Sequence, residues 1–283
     1  MARIIAALAL GAAVAGCSAI KLAYNNLPEV AYWWLDGYVD FSVAQTPKIK
    51  SDLTSLFAWH RAVELPKIIA VLQKAEALAA GDISPIQACE LVADIRTRVL
   101  AAAERAEAPG ASLAVTLSEA QLQTLERKYA KNDAEYVKDW IDRTPTQQQE
   151  KRYDKFLEQN EDFYGRLDND QRDVLRQLIG QSIFDAKLVD AERRKRQQEA
   201  LVLLRKFIAE RTSAADAQAA IHAYVQRIAE PRPGAWRDYQ KGMLDEGCRY
   251  VAELHNATRS EQRQKAVQRL RAYETDLRDL AAK

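Results

Sequence analysis

The chain has few residues that break helices and no global charge of either sign. Only 10 glycines and 8 prolines occur in 283 residues, which argues against a loop-rich β-protein. The 41 Lys and Arg residues nearly balance the 40 Asp and Glu residues, so no overall charge attracts nucleic acid. Because 48% of the residues are hydrophobic and 29% are charged, the composition is typical of a folded chain. Long helices fit it best.

Motifs of the common catalytic and metal centres are also missing. The sequence has no HExxH, CxxC, Gly-rich phosphate loop or nucleophile elbow, and we predict no cofactor and no metal. The sharpest candidate for acid/base chemistry is Asp36 with Asp40, because a spacing of four places both carboxylates on one helical face. Aspartates at this spacing are more often surface residues or partners of arginines, so a non-enzymatic protein is favoured.

The first seventeen residues have the pattern of an export signal. Arg3 precedes an apolar run from Ile4 to Val14, which is shorter than the roughly 20 residues that a membrane span needs. The segment Val14–Cys17 resembles a bacterial lipobox, in which the cysteine receives diacylglycerol and the chain is cut before it. That resemblance implies a signal peptide over 1–16, palmitate-type acylation at Cys17 and a short tether over 17–27. An ordinary cleaved signal, or a buried helix at the start of a cytosolic protein, is the alternative.

The rest of the chain is divided by helix starts. Combinations of a capping residue with Gln or Glu three positions later begin at Ser84, Ser118, Thr144, Asp168 and Thr258. With the apolar periodicity, they predict an all-α bundle of about eight or nine helices over 28–283, with a possible subdivision near 168. The predicted helices are 28–44, 47–80, 84–107, 118–142, 145–166, 169–210, 214–229, 234–256 and 259–281. Pro66 is expected to kink or break the second, and 106–116 is predicted to be a loop.

Two cysteines remain once Cys17 is set aside. In an oxidising compartment, Cys89 and Cys248 are candidates for a disulfide that closes a long loop. Two separate buried thiols are an equally weighted interpretation.

Two segments are candidates for contact with a membrane or a partner. Aromatic residues crowd residues 24–41, and Trp33 and Trp34 fit either the bundle core, which we favour, or a membrane interface. The basic stretch Arg193, Arg194, Lys195 and Arg196 fits either a headgroup contact or a solvated helix face, and the solvated face is the commoner case.

The words YNNLP (residues 24–28) and WWLD (residues 33–36) follow the lipobox, and with them the chain resembles a family of proteobacterial lipoproteins of unknown function. The S/T-x-x-Q starts are also similar to the LTxxQ motifs of the helical periplasmic chaperones Spy and CpxP. With Ser18 after the cysteine, the resemblance implies an outer-membrane lipoprotein that faces the periplasm.

From these features we predict a non-enzymatic protein, attached to the membrane by its lipid, that binds an envelope protein in a chaperone-like or assembly role. A hydrolase that acts on cell wall or lipid through Asp36 and Asp40 is the first alternative. A lipid or lipopolysaccharide contact protein is the second.

Overall fold

The predicted all-α class is confirmed. The computed structural model describes residues 16–282, with side chains from Ile20 onward, and contains no strand in that part of the chain. The apolar run of the predicted export signal lies outside the described residues. The helices are α1 (Gly16–Asn25), α2 (Leu27–Val39), α3 (Thr46–Trp59), α4 (Leu65–Ala79), α5 (Pro85–Ala114), α6 (Glu119–Tyr136), α7 (Pro145–Tyr164), α8 (Asn169–Gly180), α9 (Ala186–Ala209), α10 (Ala214–Ala229), α11 (Ala235–Asn256) and α12 (Ser260–Ala281).

The segment predicted as a tether is helical. Residues 16–25 form α1, and α1 packs against α4 and α12 through Tyr24, Leu65 and Leu280. Burial of Tyr24 at 8% exposure and of Leu280 at 0% explains why these residues fold onto the body instead of remaining extended.

The predicted long helix over 169–210 is wrong. The chain leaves the helix after Gly180 and starts α9 at Ala186. Glu246 on α11 accepts hydrogen bonds from the Ser182 hydroxyl and the Ile183 backbone N–H, and Asp185 caps α9 through the backbone N–H of Leu188. These side-chain partners replace helical hydrogen bonds in residues 181–185, and the helical periodicity gave no sign of them.

The loop predicted over 106–116 is also wrong, because α5 runs through Pro109 to Ala114. An interior proline costs about 3 kcal/mol in a helix. Ala111 and Ala114 are buried against Phe207 of α9 and Ala217 of α10. This tertiary packing offsets the local cost of the proline.

Pro66 lies in the first turn of α4, so the α-helix predicted over 47–80 is interrupted just before it. A π-helical turn over His60–Glu64 joins α3 to α4, and the backbone N–H of Leu65 donates to the carbonyl of His60. Because proline has no N–H to donate, a wider turn just before it takes up the local mismatch in the hydrogen-bond ladder. A second π turn, Val137–Ile141, follows α6.

Glutamines from four helix starts form two pairs, which we call the glutamine clasps. In the first clasp the side-chain amide of Gln121 donates to Gln45 Oε1 at 2.8 Å, and Gln45 donates in return to Gln121 Oε1. In the second, Gln171 and Gln262 exchange the same two bonds at 2.6 and 3.0 Å. Each clasp therefore joins two helix N-termini that are far apart in sequence.

The two clasps have the same geometry. Each glutamine also accepts the backbone N–H of the residue three positions before it, and it donates to the carbonyl five positions before its partner glutamine. Those carbonyls belong to Asp40, Thr116, Arg166 and Ala257. The side chains of Gln121, Gln171 and Gln262 are at most 9% exposed, and every amide proton and oxygen lone pair has a partner.

The helix start predicted near Thr258 differs from the observed one, and the second clasp shows the difference. The cap of α12 is Arg259, whose backbone N–H donates to Gln262 Oε1, and the third-position residue is Gln262 instead of Glu261. An arginine side chain has no acceptor for a backbone N–H. Its guanidinium instead pairs with Asp168, the cap of α8, at 2.6 Å.

The core is divided among small clusters, each shared by three or four elements. One cluster contains Tyr164, Leu175 and Leu254 of α7, α8 and α11, and another joins α2 and α3 through Tyr32 and Ile49. No single cluster holds all the helices together, so contacts between the clusters carry much of the tertiary specificity.

Cys89 on α5 and Cys248 on α11 form a disulfide with Cα atoms 5.2 Å apart. The bond lies in a cluster with Ile83, Ala88 and Ala252. It closes a loop of 159 residues.

Replacing Gln171 with alanine should lower the free energy of unfolding by about 2–3 kcal/mol, because it leaves the buried Gln262 amide and the Ala257 carbonyl without their partners. Gln147 completes only the capping box of α7, so Gln147→Ala is the matched control and should cost about 1 kcal/mol or less. Urea unfolding measures both. Equal losses in the two variants would show that the clasp adds nothing beyond helix capping.

Reduction of the Cys89–Cys248 disulfide should lower the free energy of unfolding by about 2–5 kcal/mol, because it frees a long loop in the unfolded chain. Unfolding curves with and without reductant measure the difference. The double variant Cys89→Ser/Cys248→Ser should show the reduced value in both conditions. An oxidised protein no more stable than this variant would contradict the expectation.

Candidate functional site

A largely apolar depression lies between α4 and α5, and we call it the α4–α5 groove. It has a volume of about 290 Å³. Its lining residues are His60, Ile68, Val71, Ile95, Arg98, Val99 and Ala102.

The groove lies between contacts that hold α5 to α4 at one end and to α3 at the other, and the Lys74–Asp94 salt bridge, at 2.9 Å, crosses from α4 to α5. Near the connecting turn, Leu78 packs with Ile83 and Ala88. At the far end, Leu53 of α3 joins a cluster with Leu113 of α5. Between these contacts the facing side chains of α4 and α5 leave a gap.

The groove wall on α5 is apolar and exposed. Ile95 is 53% exposed and Val99 is 61% exposed, and Val92, one turn before Ile95, is 38% exposed. Spacings of three and four place these residues on one stripe of α5. A contiguous stripe of large apolar residues in contact with water is typical of an interaction surface.

The polar end of the groove is built by the π turn. Glu64 is 1% exposed, and its carboxylate pairs with Lys67 at 2.8 Å and with Arg98 at 3.2 Å. Burial alone would raise the pKa of Glu64, but the hydrogen bonds and charges of Lys67 and Arg98 outweigh it and hold that pKa below its usual value. The charged end is therefore fixed in place.

His60, on the same turn, links the groove to α1. Its Nδ1 lies 2.8 Å from the Tyr24 hydroxyl. Burial lowers the pKa of His60, and the charge of Glu64 opposes that shift only in part. A neutral imidazole follows, and it acts as a hydrogen-bond partner of α1.

His255 is a second buried histidine with a tyrosine partner. Its Nδ1 lies 3.0 Å from the Tyr164 hydroxyl and its Nε2 lies 2.8 Å from the carbonyl of Gly81. The Nε2 contact requires a proton on that nitrogen, so Tyr164 donates to Nδ1. His222 contacts Glu107 at 3.0 Å. Each of the three histidines therefore has a partner within the chain, and no cluster of possible metal ligands occurs in residues 16–282.

Asp36 and Asp40 end the same helix and do not converge on a reaction centre. The Asp36 carboxylate accepts the backbone N–H of Phe41 at 2.8 Å. Asp40 is in the left-handed region at φ 59° and is the C-cap of α2, and its carbonyl accepts from the first clasp. Both residues thus shape the turn between α2 and α3.

The basic stretch on α9 is largely neutralised within the chain. Arg193 and Arg194 both pair with Asp133 of α6 and with Asp190. Arg196 pairs with Glu192 and lies 5.3 Å from the ring of Trp236. Lys195, at 65% side-chain exposure, is the member most available to solvent.

The aromatic segment is split between core and surface. Tyr24, Tyr32 and Phe41 are buried, in agreement with the core interpretation. Trp33 and Trp34 are 65% and 61% exposed, which the core interpretation did not anticipate. Tyr32 faces the bundle and the tryptophans face away from it, because consecutive residues of a helix point in different directions.

Comparison with known proteins places the chain in a family. Residues 37–212 match DUF6279, described as a family of unknown function. The chain belongs to DUF6279. It matches no curated protein and no solved structure.

The DUF6279 match covers the α4–α5 groove and the first clasp. It leaves out Trp33, Trp34 and all of α10, α11 and α12. Cys248 and Gln262, partners in the disulfide and in the second clasp, therefore lie beyond the matched residues. No helix in residues 16–282 is both long enough and apolar enough to cross a membrane.

The sequence contains a pattern that corresponds to one wall of the groove. Val92, Ile95, Val99 and Ala102 are spaced as one helical row, but such a row is normally interpreted as buried. Glu64 gave no such signal, because a carboxylate between two apolar residues of a helix resembles any exposed helix residue.

Lowering the pH from about 7.5 to about 5.5 should reduce the free energy of unfolding, because the folded protein resists protonation of two histidines whose ordinary pKa is near 6.5. Burial lowers the pKa of His255, Arg263 adds to the shift, and the Gly81 carbonyl and Asp82 oppose it. Since the unfolded chain binds more protons below pH 6.5, stability is lost as the pH falls through that value. Carboxylates with a lowered pKa, such as Glu64, lose their contribution only at lower pH.

Urea unfolding at the two pH values measures this loss. In His255→Gln the difference between the two values should shrink, whatever the change in absolute stability. A difference of the same size as in the unmodified protein would assign the pH dependence to other groups.

Proposed function

We propose that the chain is a lipid-anchored envelope protein that binds, without enzymatic activity, a helical segment of a periplasmic or outer-membrane partner in the α4–α5 groove. The observation that carries the proposal is the exposure of Ile95 and Val99 in an open, apolar cleft. A chaperone-like or assembly role is consistent with such a surface.

The shape of the groove favours a helix as its occupant. Ile95 and Val99 on one side, and Ile68 and Val71 on the other, form two apolar rows at helical spacing. A third helix with apolar residues at intervals of three and four packs between rows of this kind.

The charge at the groove favours acidic residues on the flanks of that helix. Arg98 lies in the lining and shares the Glu64 carboxylate with Lys67, so these three side chains keep one net positive charge. Arg105, two turns further along α5, lies over the ring of Trp59 at 5.7 Å. Carboxylates at the edges of a bound helix would lie opposite these groups.

The proposed location rests on the lipobox and on the disulfide. Val14–Cys17 supports acylation at Cys17 and cleavage before it, and Ser18 supports transfer to the outer membrane, on the periplasmic face. A disulfide between Cys89 and Cys248 suits an oxidising compartment such as the periplasm.

A photo-crosslinking residue at Val99 should capture one partner in cells, and the crosslinked peptide should be an amphipathic helix with acidic flanks. The matched control is the same residue at Val202 on α9, which is also exposed, at 65%. Adding Ile95→Asp should weaken the capture at position 99 by roughly tenfold, since a charge opposes an apolar contact. Adding Val202→Asp should leave it unchanged.

Both aspartate variants should remain folded, because substitutions at exposed positions usually change stability by less than about 0.5 kcal/mol. Equal capture from positions 99 and 202 would contradict the proposal. So would a crosslinked peptide without an apolar helical face.

A further inference from the structure

Helix α2 has apolar residues on both of its sides. One side places Tyr32, Leu35 and Val39 in the cluster with Phe41 and Ile49. The other side is exposed and consists of Val30, Trp33, Trp34 and Gly37. We call these four residues the outer face of α2.

The outer face departs from what a surface helix normally presents to water, which is a polar side opposite an apolar one. Val30, Trp33 and Trp34 are 56%, 65% and 61% exposed. The other three tryptophans of the chain, at positions 59, 140 and 236, are partly buried. The two largest exposed side chains are therefore neighbours on one helix.

Amines and tyrosines border this face. Lys50 lies 5.8 Å from the ring of Trp33 and pairs with Glu29 at 2.9 Å. Tyr38 stacks against Trp34 with ring centroids 4.9 Å apart, and Lys128 lies 5.2 Å from the Tyr38 ring. Tryptophan beside lysine is typical of a membrane interface, where the indole meets acyl chains and the amine meets lipid phosphates.

The outer face is also close to the proposed anchor. Only Asn26 separates α1 from α2, and the 16 residues from Cys17 to Trp33 extend at most about 24 Å at 1.5 Å per helical residue. Since Cys17 is the second residue of α1, an acyl chain on it would enter the bilayer within about that distance of Trp33 and Trp34. A second protein bound at this face would have to fit between the two tryptophans and the membrane surface to which Cys17 holds the chain.

We propose that the outer face of α2 is a membrane-contact surface that lies in the headgroup region of the bilayer into which Cys17 is anchored. The inference rests on the lipid anchor of the proposed function, and it adds a second point of attachment. Two points of attachment fix the orientation of the helical body on the membrane, whereas a single lipid leaves it free to rotate.

The test uses the full acylated protein in vesicles of phosphatidylethanolamine and phosphatidylglycerol whose acyl chains carry bromine, a quencher of tryptophan fluorescence. Flotation of the protein with the vesicles reports the anchor. Quenching reports the depth of the tryptophans. Trp33→Phe/Trp34→Phe should abolish most of the quenching, and the control Trp140→Phe/Trp236→Phe should retain it.

The outcomes separate the two proposals. If the protein floats with the vesicles but the loss of Trp33 and Trp34 leaves the quenching unchanged, the membrane-contact surface is wrong and the anchor stands. If the protein does not float and Cys17 carries no lipid, the anchor itself is wrong, and this inference fails with it. Absence of quenching together with a doubled mass in sedimentation would assign the face to a second copy of the chain and overturn the inference.

Discussion

The architecture depends on how four helix N-termini satisfy their backbone N–H groups. A helix start leaves several donors without a partner inside the helix, and most proteins solve this locally with a capping side chain. Here Gln45 with Gln121, and Gln171 with Gln262, also bond to each other and to the chain before the opposite cap. A local requirement of the helix thus becomes a contact between segments 76 and 91 residues apart in the chain. Because the apolar core is divided into small clusters, such polar contacts determine which helix ends meet.

The same division of the core explains the open surfaces. Apolar clusters join α5 to α4 near Ala88 and to α3 near Leu113. Between those points Ile95 and Val99 remain in contact with water. A single large core would have drawn these residues inside. The groove therefore follows from the division of the core into separate clusters. The salt bridge between the buried Glu64 and Arg98 lies at its polar end and holds that end in place.

The sequence was sufficient to predict the fold class, most helix starts and the absence of strands, because capping residues and apolar periodicity act over a few residues. Tertiary contacts account for the errors. Pro109 continues its helix because Ala111 and Ala114 are buried elsewhere, and the helix expected over 169–210 is interrupted because Glu246, distant in sequence, binds Ser182 and Ile183. Trp33 shows what could not be predicted at the candidate surface. The sequence shows that an aromatic ring is present, but it does not show which side of the helix faces the bundle.

The packing of α1 against α12 brings the two ends of the described chain together. Tyr24 and Leu280 share a cluster, and Lys21 pairs with Asp276 and Asp279. Force applied to either terminal helix would pass directly to the other without crossing the rest of the bundle. A domain fused after α12 would likewise begin beside α1, and a short linker between the two termini would permit circular permutation with little disturbance of the fold.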